Sequence, residues 1–165
     1  MSYQRWRSLA DKYSLIHGVP PEVILAVIQT ESSGNPDAYN ADDRGGGSRG
    51  LRQVTLATAR GLGFTGAVSQ LFDADTNVNL GTKLLADLLR KNSFDFRAMY
   101  SAYNSGSPVA YLSSSQVRNN VSRFERNLEI ARLDVQQVPF QAASPAASGV
   151  SLLVVPAIAL VAGVK

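Results

Sequence analysis

Apolar residues return every three or four positions along most of this chain, a spacing that places them on one side of an α-helix. The clearest case covers residues 116–135. Its apolar side chains follow one another at intervals of 4, 3, 4, 3 and 4 residues: Val117, Val121, Phe124, Leu128, Ala131 and Val135. No strand-type alternation of any length is present, although a short hairpin would fit within residues 37–50. The pattern predicts a mainly α fold.

A second helix is predicted to lie at the centre of the fold. It begins at Pro21, since proline is favoured in the first helical turn, and it runs to Glu31. Its residues are apolar nearly all round, which is typical of a buried helix. The sequence Ser-Ser-Gly-Asn-Pro at 32–36 then ends it. Glu31 is therefore expected at the C-terminal end of a buried helix.

The remaining elements are predicted from helical spacing and from residues that cap helices. They are a helix over residues 4–14, a short helix at about 56–60, a helix capped by Asp73 or Asp75 that ends near residue 91, a helix capped by Asp95, and a turn or short helix that starts at Pro108. Gly81 lies on the apolar stripe of the helix that ends near residue 91, where it would allow close packing.

Composition changes after Asp134, because the next thirty residues carry no charge. We therefore divide the chain into a domain at 1–136, an Ala/Ser/Pro-rich linker at 137–149 and an apolar tail at 150–165. The apolar run of the tail has 15 residues and is broken by Pro156. It is shorter than the about 20 residues that a membrane-spanning helix needs. Docking onto a partner protein is the favoured role, and membrane insertion or packing as one more buried segment are the alternatives.

Composition and charge argue against several classes of protein. Hydrophobic residues make up 45% of the 165 residues and charged residues 18%, as in a soluble globular domain. The net charge of +3 is too small for the dense basic patch of a nucleic-acid-binding protein. Without cysteine there is no disulfide, thiolate nucleophile or zinc finger. The one histidine, His17, precedes Gly18 and is interpreted as a cap or turn residue, so neither a metal nor a cofactor is expected.

The position of Glu31 suggests acid chemistry. A carboxyl at the end of a buried helix loses hydration and meets the negative end of the helix dipole, and both effects raise its pKa. A raised pKa suits a general acid that works near neutral pH. Helix position alone, however, still favours a solvated surface glutamate.

Four short motifs, in order along the chain, favour the general acid over the surface glutamate. They are Glu-Ser-Ser-Gly-Asn-Pro at 31–36, Gly-Leu-Arg-Gln at 50–53, a segment at 71–81 that opens a helix, and Ala-Tyr-Asn-Ser-Gly at 102–106. Together they resemble the motifs of the soluble lytic transglycosylase family, which is goose-lysozyme-like. The resemblance covers roughly residues 10–130 and implies a lysozyme-like helical domain with a long active-site loop. It says nothing about the uncharged C-terminal tail, which is predicted from composition alone.

The family resemblance implies a reaction. Glu31 would protonate the glycosidic oxygen between N-acetylmuramic acid and N-acetylglucosamine, and then accept the proton of the muramoyl C6 hydroxyl as that oxygen attacks C1. The nucleophile belongs to the same sugar, so one protein carboxylate suffices. We find no convincing second carboxylate, because Asp37, Asp42 and Asp43 lie in a polar loop where solvated or turn-forming roles are favoured.

The resemblance also implies contacts with the substrate. Gln53 and Asn104 offer amide groups to sugar hydroxyls and N-acetyl groups, and Tyr103 offers a hydroxyl or an apolar platform. Ser32 either hydrogen-bonds Glu31 or closes the helix, and both roles stay open. For Asn104 the alternative role is a helix C-cap.

Two positions depart from the family's pattern. Arg52 stands where the family has methionine. Either it lines the groove and meets carboxylates of the substrate, or it narrows or retunes the site. Asn120 stands where the family often has tyrosine, which removes a hydroxyl that helps to orient the glutamate. The solvated face of the last helix is interpreted to carry the basic residues Arg118, Arg123, Arg126 and Arg132.

Two other functions stay open beside the lyase: hydrolysis by water, as in goose-type lysozymes, and a non-catalytic structural or glycan-binding role. The polar N-terminus shows no pattern of a Sec-type signal peptide. The chain therefore resembles phage wall-degrading proteins, which are carried in the virion or released towards the host periplasm and cell wall. Peptidoglycan strands are the expected substrate, and phage tail or baseplate proteins the expected partners of the apolar tail. A bacterial chain whose export signal was removed is the alternative.

Overall fold

A computed structural model describes residues 2–43 and 46–137, and within these ranges helices dominate. The α-helices are α1 Arg7–His17, α2 Pro21–Ser32, α3 Leu56–Gly61, α4 Ala74–Lys91, α5 Phe96–Ser105, α6 Ala110–Ser113 and α7 Ser115–Gln137. Two 3-10 helices cover Ser2–Trp6 and Val68–Phe72, and three short strands are β1 Tyr39–Asn40, β2 Ser48–Arg49 and β3 Val54–Thr55. The predicted mainly α fold is confirmed.

The helix α2 lies at the centre of the fold, as predicted. Pro21 is its first residue, and every side chain from Val23 to Ile28 is buried. It packs against α7 on one side and α1 on another. The helix ends where the backbone of Ser33 turns to a positive φ of 55°. This end leaves Glu31 in the last turn of a buried helix.

Capping residues set the starts of two helices at the predicted positions. The Asp73 side chain accepts a hydrogen bond from the backbone N–H of Thr76 and so caps α4. Asp75, the alternative cap, instead accepts bonds from the side chains of Lys12 and Tyr13 on α1. Asp95 caps α5 by accepting from two backbone N–H groups. The segment predicted as a helix over 4–14 differs, because it begins as a 3-10 helix and α1 continues to residue 17.

The three strands form an antiparallel sheet in the order β1-β2-β3 beside the end of α2. Tyr39 pairs with Arg49, and Ser48 pairs with Thr55. The hairpin that would fit within residues 37–50 is therefore present. A strand of two residues is too short to show alternation, which is why β3 has no signal in the sequence.

Asn77 of α4 holds the loop between β2 and β3 in place. Its Nδ2 donates to the carbonyl oxygens of Arg49 (2.8 Å) and Leu71 (2.7 Å), and its Oδ1 accepts from the backbone N–H of Arg52 (2.8 Å). Gly50 has a positive φ of 74°, and a Cβ atom there would lie 2.6 Å from Nδ2 of Asn77. The close approach requires glycine, so the motif at 71–81 supports the motif at 50–53.

The C-terminal part of the sequence lies mostly outside the described residues. Gln137, where the linker was expected to begin, is the last residue of α7. The remainder of the linker at 137–149 and the tail at 150–165 are not among the described residues, so both remain predictions. No helix within the described ranges has the length and apolar character to cross a membrane.

Candidate active site

A cleft of about 580 Å³ brings Glu31 together with three of the other predicted site residues. Its walls come from the end of α2, the loop after β1, the β3 region, α4, α5 and the start of α7. The side chains that line it are those of Glu31, Asp42, Asp43, Gln53, Val54, Thr55, Thr58, Leu84, Tyr103, Asn104, Ser105, Gln116, Val117 and Asn120. Three of the four sequence motifs therefore contribute to one surface.

Glu31 is partly buried at the edge of this cleft. The hydroxyl of Tyr100 donates to its Oε1 at 2.7 Å. Burial raises the pKa of Glu31 above the usual range of a glutamate, and the charge of Asp43 adds to that rise. The bond from Tyr100 and the positive charges of Arg52 and Arg123 act in the opposite direction but do not cancel the effect of burial on the pKa. Glu31 can therefore hold a proton at a higher pH than an exposed glutamate.

Tyr100 is a site residue that the sequence analysis missed. It is 1% exposed, and its ring stacks on Phe124 with centroids 4.5 Å apart and on Tyr103 at 6.2 Å. Burial and the neighbouring charge of Glu31 raise the pKa of Tyr100, so it remains a hydrogen-bond donor. A hydroxyl of α5 thus contacts the glutamate. One feature of the sequence could have identified Tyr100: it lies three residues before Tyr103, and this spacing places both side chains on one helix face.

Ser32 closes the helix rather than contacting Glu31. Its Oγ donates to the carbonyl oxygens of Leu51 (2.9 Å) and Ile28 (3.1 Å) and accepts from the N–H of Gly34 (3.2 Å). Of the two roles left open by the sequence, the structure supports the helix-closing one. The bond to Leu51 also ties the first motif to the second, which contributes Gln53 to the cleft.

Gln53 lines the cleft, but its amide is engaged within the protein. Its Nε2 donates to the carbonyl oxygens of Ala38 (3.1 Å) and Gly50 (3.0 Å), and its Oε1 accepts from the hydroxyl of Ser48 (2.9 Å). Its backbone has a positive φ of 46°, which is unusual for a residue other than glycine. These bonds shape the loop. The NH2 group predicted to meet the sugar already has both of its partners.

Tyr103 and Asn104 present different groups to the cleft from those predicted. The hydroxyl of Tyr103 donates to the carbonyl oxygen of Arg52 at 2.6 Å, so its ring, rather than its hydroxyl, is offered to a ligand. Burial raises the pKa of Tyr103 to about 12. Asn104 is exposed, and its Oδ1 accepts from Nδ2 of Asn120 at 3.3 Å. The alternative role of Asn104 as a C-cap is wrong, because Gly106 takes the left-handed cap position.

The side chain of Arg52 does not line the groove, so the expectation that it meets carboxylates of the substrate is wrong. It is fully buried, and its Nη1 and Nη2 donate at 3.3 Å to Oγ1 of Thr82 and the carbonyl oxygen of Gly81. Its Nε has no partner among the described residues. The side chain turns inward because Gly81 leaves room for it: a Cβ there would lie 2.9 Å from Cβ of Arg52. Its charge still reaches the site by lowering the pKa of Glu31.

The basic face of α7 is only partly solvated. Nη2 of Arg123 donates to the carbonyl oxygen of Thr30 at 3.1 Å, and Nδ2 of Asn127 donates to Oγ1 of the same threonine at 2.9 Å. Arg118 donates through Nε to the carbonyl oxygen of Tyr111 at 3.1 Å. Arg123 is exposed, as interpreted from the sequence, but it also donates a hydrogen bond to the backbone of α2. It places a positive charge at the C-terminal end of α2, where the helix dipole is negative.

Two carboxylates of the polar loop reach the cleft. Asp42 and Asp43 are exposed and line it, whereas Asp37 does not. The backbone N–H of Asp42 donates to Oδ1 of Asn40 at 3.2 Å, which is the expected turn geometry. The solvated and turn-forming roles therefore fit Asp42, yet both residues also line the cleft that Glu31 borders.

His17 is the last residue of α1, and Gly18 rather than His17 takes the cap position. Its Nε2 lies 2.7 Å from Oδ1 of Asn79, and its ring stacks on Tyr13. In the part of the chain that the structure describes, no group of three or more histidine, cysteine or acidic side chains is placed to hold a metal ion.

The fold and the cleft together define a class of protein: a lysozyme-like helical domain with a partly buried glutamate at the end of its central helix. The Transglycosylase SLT domain family matches residues 8–122, and the chain belongs to this family. The match includes all four sequence motifs.

Named relatives agree with the family. The chain is 33% identical over 106 residues to a transglycosylase of Enterobacteria phage PRD1, a match that covers 64% of this chain and 37% of that protein. It is 36% identical over 128 residues to the membrane-bound lytic murein transglycosylase C of Serratia proteamaculans, covering 68% of this chain and 34% of that protein. The chain thus matches about a third of the length of these relatives.

Solved structures show the same fold. The lytic transglycosylase Slt of Pseudomonas aeruginosa superposes with a TM-score of 0.69 at 20% identity, covering 79% of this chain and 24% of that one. The 70 kDa soluble lytic transglycosylase of Escherichia coli gives 0.67 at 21% identity, covering 78% and 24%. The lysozyme-like fold predicted from the motifs is therefore confirmed.

Proposed function

We propose that this chain is a peptidoglycan lytic transglycosylase in which Glu31 acts first as the acid and then as the base. The observation that carries the proposal is a partly buried carboxyl with a raised pKa at the edge of the cleft, within a Transglycosylase SLT domain. A group of this kind can donate a proton near neutral pH.

The proposed reaction cleaves the β-1,4 bond between N-acetylmuramic acid and N-acetylglucosamine. The proton of Glu31 moves to the glycosidic oxygen, which leaves as the 4-hydroxyl of N-acetylglucosamine as its bond to C1 of the muramoyl residue breaks. The Glu31 carboxylate then takes the proton of the muramoyl C6 hydroxyl, and O6 bonds to C1. The products are a 1,6-anhydromuramoyl end and regenerated Glu31-H, so protons and atoms balance.

An internal nucleophile suits the groups in this cleft. The C6 hydroxyl is tethered to the carbon that it attacks, so it has a high effective concentration and needs no activated water. The N-acetyl group of the substrate can stabilise the developing positive charge on the sugar. The exposed Asn104 and the ring face of Tyr103 are the proposed contacts to the glycan.

Hydrolysis is the second candidate, and one observation favours it. Asp42 and Asp43 line the same cleft as Glu31, so a second carboxylate is present to activate water. Water would then attack C1, and the muramoyl product would be heavier by one water than the anhydro form. Both aspartates are exposed, which gives neither the environment of a buried base, so the lyase is the preferred proposal.

Mass spectrometry of digested sacculi distinguishes the candidates. The wild type is expected to yield 1,6-anhydro ends, and Glu31→Gln to lower the rate of cleavage by about 100- to 10,000-fold. Glu22→Gln is the matched control, because it removes a carboxylate from the other end of α2. Reducing ends would support the hydrolase. Binding to sacculi without cleavage by the wild type would support a non-catalytic glycan-binding role, and a fully active Glu31→Gln would refute the assignment of the acid.

We further propose that the protein degrades the cell wall locally for a phage. The similarity to the phage PRD1 transglycosylase supports this setting, whereas the bacterial relatives support a cellular enzyme. Removal of residues 138–165 tests the proposed docking of the apolar tail onto a phage tail or baseplate protein. Loss of the truncated chain from purified particles, with wall cleavage retained, is the expected result. If the full chain binds lipid vesicles and the truncated chain does not, the tail would instead have a membrane role.

A further inference from the structure

We infer that Tyr100 is a positioning residue that fixes the acid proton on Oε2 of Glu31, the carboxyl oxygen that Tyr100 leaves free. The inference rests on the proposed role of Glu31 as the acid. It concerns a residue outside the four motifs, and it explains how a single carboxyl is kept in one orientation for proton transfer.

Tyr100 is buried among aromatic rings and bonds one oxygen of Glu31. Its hydroxyl lies 2.7 Å from Oε1 of Glu31. This is the one hydrogen bond that the Glu31 side chain makes with any of the described residues, so Oε2 has no protein partner there. The ring of Tyr100 is 1% exposed and stacks on Phe124, with planes inclined by 11°, and on Tyr103, with planes inclined by 14°. Burial and stacking limit the positions that the phenol can take, so its hydroxyl favours one orientation of the carboxyl.

The two oxygens of a protonated carboxyl are not equivalent. One is a carbonyl that accepts hydrogen bonds, and the other carries the proton and donates it. The buried phenol of Tyr100 keeps its own proton and donates it towards Oε1. Oε1 is thereby held as the carbonyl, and the acid proton is left on Oε2. After that proton is transferred, the same bond stabilises the carboxylate that must next act as a base.

The other charged and titratable groups near Glu31 do not distinguish its Oε1 from its Oε2. Arg52 approaches from the loop before β3, Arg123 from α7 and Asp43 from the loop after β1, and each influences Glu31 through its charge without a hydrogen bond to it. The hydroxyl of Tyr103 on α5 is bonded elsewhere. These groups shift the protonation equilibrium of the whole carboxyl, whereas Tyr100 acts on one oxygen.

Tyr100→Phe tests the inference, and the chain offers a matched control. Tyr3 is also 1% exposed, and its hydroxyl donates to Oδ2 of Asp134 at 2.7 Å. Neither residue lines the cleft. Tyr3→Phe therefore removes the same kind of buried tyrosine–carboxylate bond. We expect Tyr100→Phe to lower kcat about 10- to 100-fold with an unchanged KM. Tyr3→Phe should retain the kcat of the wild type.

The pH profile of kcat/KM distinguishes positioning from packing, because a purely structural role of Tyr100 would leave the profile unchanged. The bond from Tyr100 lowers the pKa of Glu31, so Tyr100→Phe should move the basic limb of the kcat/KM profile to higher pH. An acidic analogue, 3-fluorotyrosine, incorporated at position 100 should move the limb to lower pH, because a more acidic phenol donates more strongly. The analogue keeps the packing, so it decides the question if Tyr100→Phe does not fold.

Titration of Glu31 by carbon-13 NMR separates this inference from the proposed function, because it needs no catalysis. A higher pKa of Glu31 in Tyr100→Phe, but not in Tyr3→Phe, is expected even if the wild type cleaves no glycan. Unchanged kcat and an unchanged Glu31 titration in Tyr100→Phe would overturn the inference. A loss of kcat equal to that of Tyr3→Phe would also overturn it, since the effect would then be one of general packing.

Discussion

Arg123 on α7 donates from Nη2 to the carbonyl oxygen of Thr30, the residue that precedes Glu31. The bond joins α7 to the last turn of α2 and sets a positive charge beside the acid. Arg123 is exposed, yet its charge lowers the pKa of Glu31. A surface arginine thus connects the packing of two helices to the protonation of the cleft.

Arg123→Gln should therefore change stability and activity together. We expect the free energy of unfolding to fall by about 1 kcal/mol, because a hydrogen bond to the end of α2 is lost. Removing the charge raises the pKa of Glu31, so the basic limb of the pH–activity profile should move to higher pH. Urea unfolding and kcat/KM against pH are the measurements. Arg126→Gln, an exposed neighbour on the same helix, is the control, and an equal shift in both variants would contradict the prediction.

Glu31→Gln should make the fold more stable at neutral pH. Burial raises the pKa of Glu31 in the folded state above its value in the unfolded chain. At a pH between the pKa of Glu31 in the unfolded chain and its pKa in the folded state, the unfolded state binds fewer protons. The free energy of unfolding therefore falls as the pH rises through this range. Below the pKa of the unfolded chain the carboxyl is neutral in both states. The difference in melting temperature between Glu31→Gln and the wild type should accordingly shrink as the pH is lowered, and a difference independent of pH would refute the account.

Arg52→Met tests the buried cation beneath the cleft. Arg52 makes no ion pair among the described residues, so methionine removes the cost of burying a charge without leaving an oppositely charged partner unpaired, and we expect a neutral or stabilising effect. Nε of Arg52 has no partner in the described part of the chain, and the two hydrogen bonds of its Nη atoms are long, at 3.3 Å, so the hydrogen bonding that is lost is weak. The pKa of Glu31 should rise, because Arg52 now lowers it. Denaturant unfolding and the pH–activity profile measure the two effects, and a loss of more than about 3 kcal/mol would show that the cation stabilises the fold.

Two glycines with similar backbone angles should tolerate alanine very differently. Gly18 has φ +70° with nothing within 4 Å of an added Cβ, so Gly18→Ala costs only the left-handed conformation, about 1–2 kcal/mol. Gly50 has φ +74°, but an added Cβ would lie 2.6 Å from Asn77 and from the carbonyl oxygen of Leu71. Gly50→Ala should therefore lose at least about 2 kcal/mol more than Gly18→Ala. Equal losses of unfolding free energy in the two variants, measured by denaturant unfolding, would contradict the role of Asn77 in holding the loop between β2 and β3.

Local signals in the sequence predict the framework of this fold well. Pro21 at the start of α2 and the capping carboxylates Asp73 and Asp95 act within a few residues, so their effects can be read from the sequence alone. The side-chain roles of Arg52 and Tyr100 could not, because each depends on a contact across the fold. Arg52, in the loop between β2 and β3, is buried because Gly81 of α4 leaves space, and Tyr100 meets Glu31 from 69 residues away.

Asp43→Asn distinguishes the two proposed reactions at the cleft. The charge of Asp43 raises the pKa of Glu31, so its removal should lower that pKa and move the basic limb of the pH–activity profile to lower pH. If the C6 hydroxyl is the nucleophile, the 1,6-anhydro product should persist, because no step of the lyase reaction passes a proton through Asp43.

The matched control for this prediction is Asp37→Asn, which removes an exposed carboxylate of the same loop that does not line the cleft. Its pH profile should coincide with that of the wild type. A selective loss of reducing-end product in Asp43→Asn would instead show that Asp43 activates water. In that case the tethered-nucleophile reaction is not the main one, and the two carboxylates work as a pair.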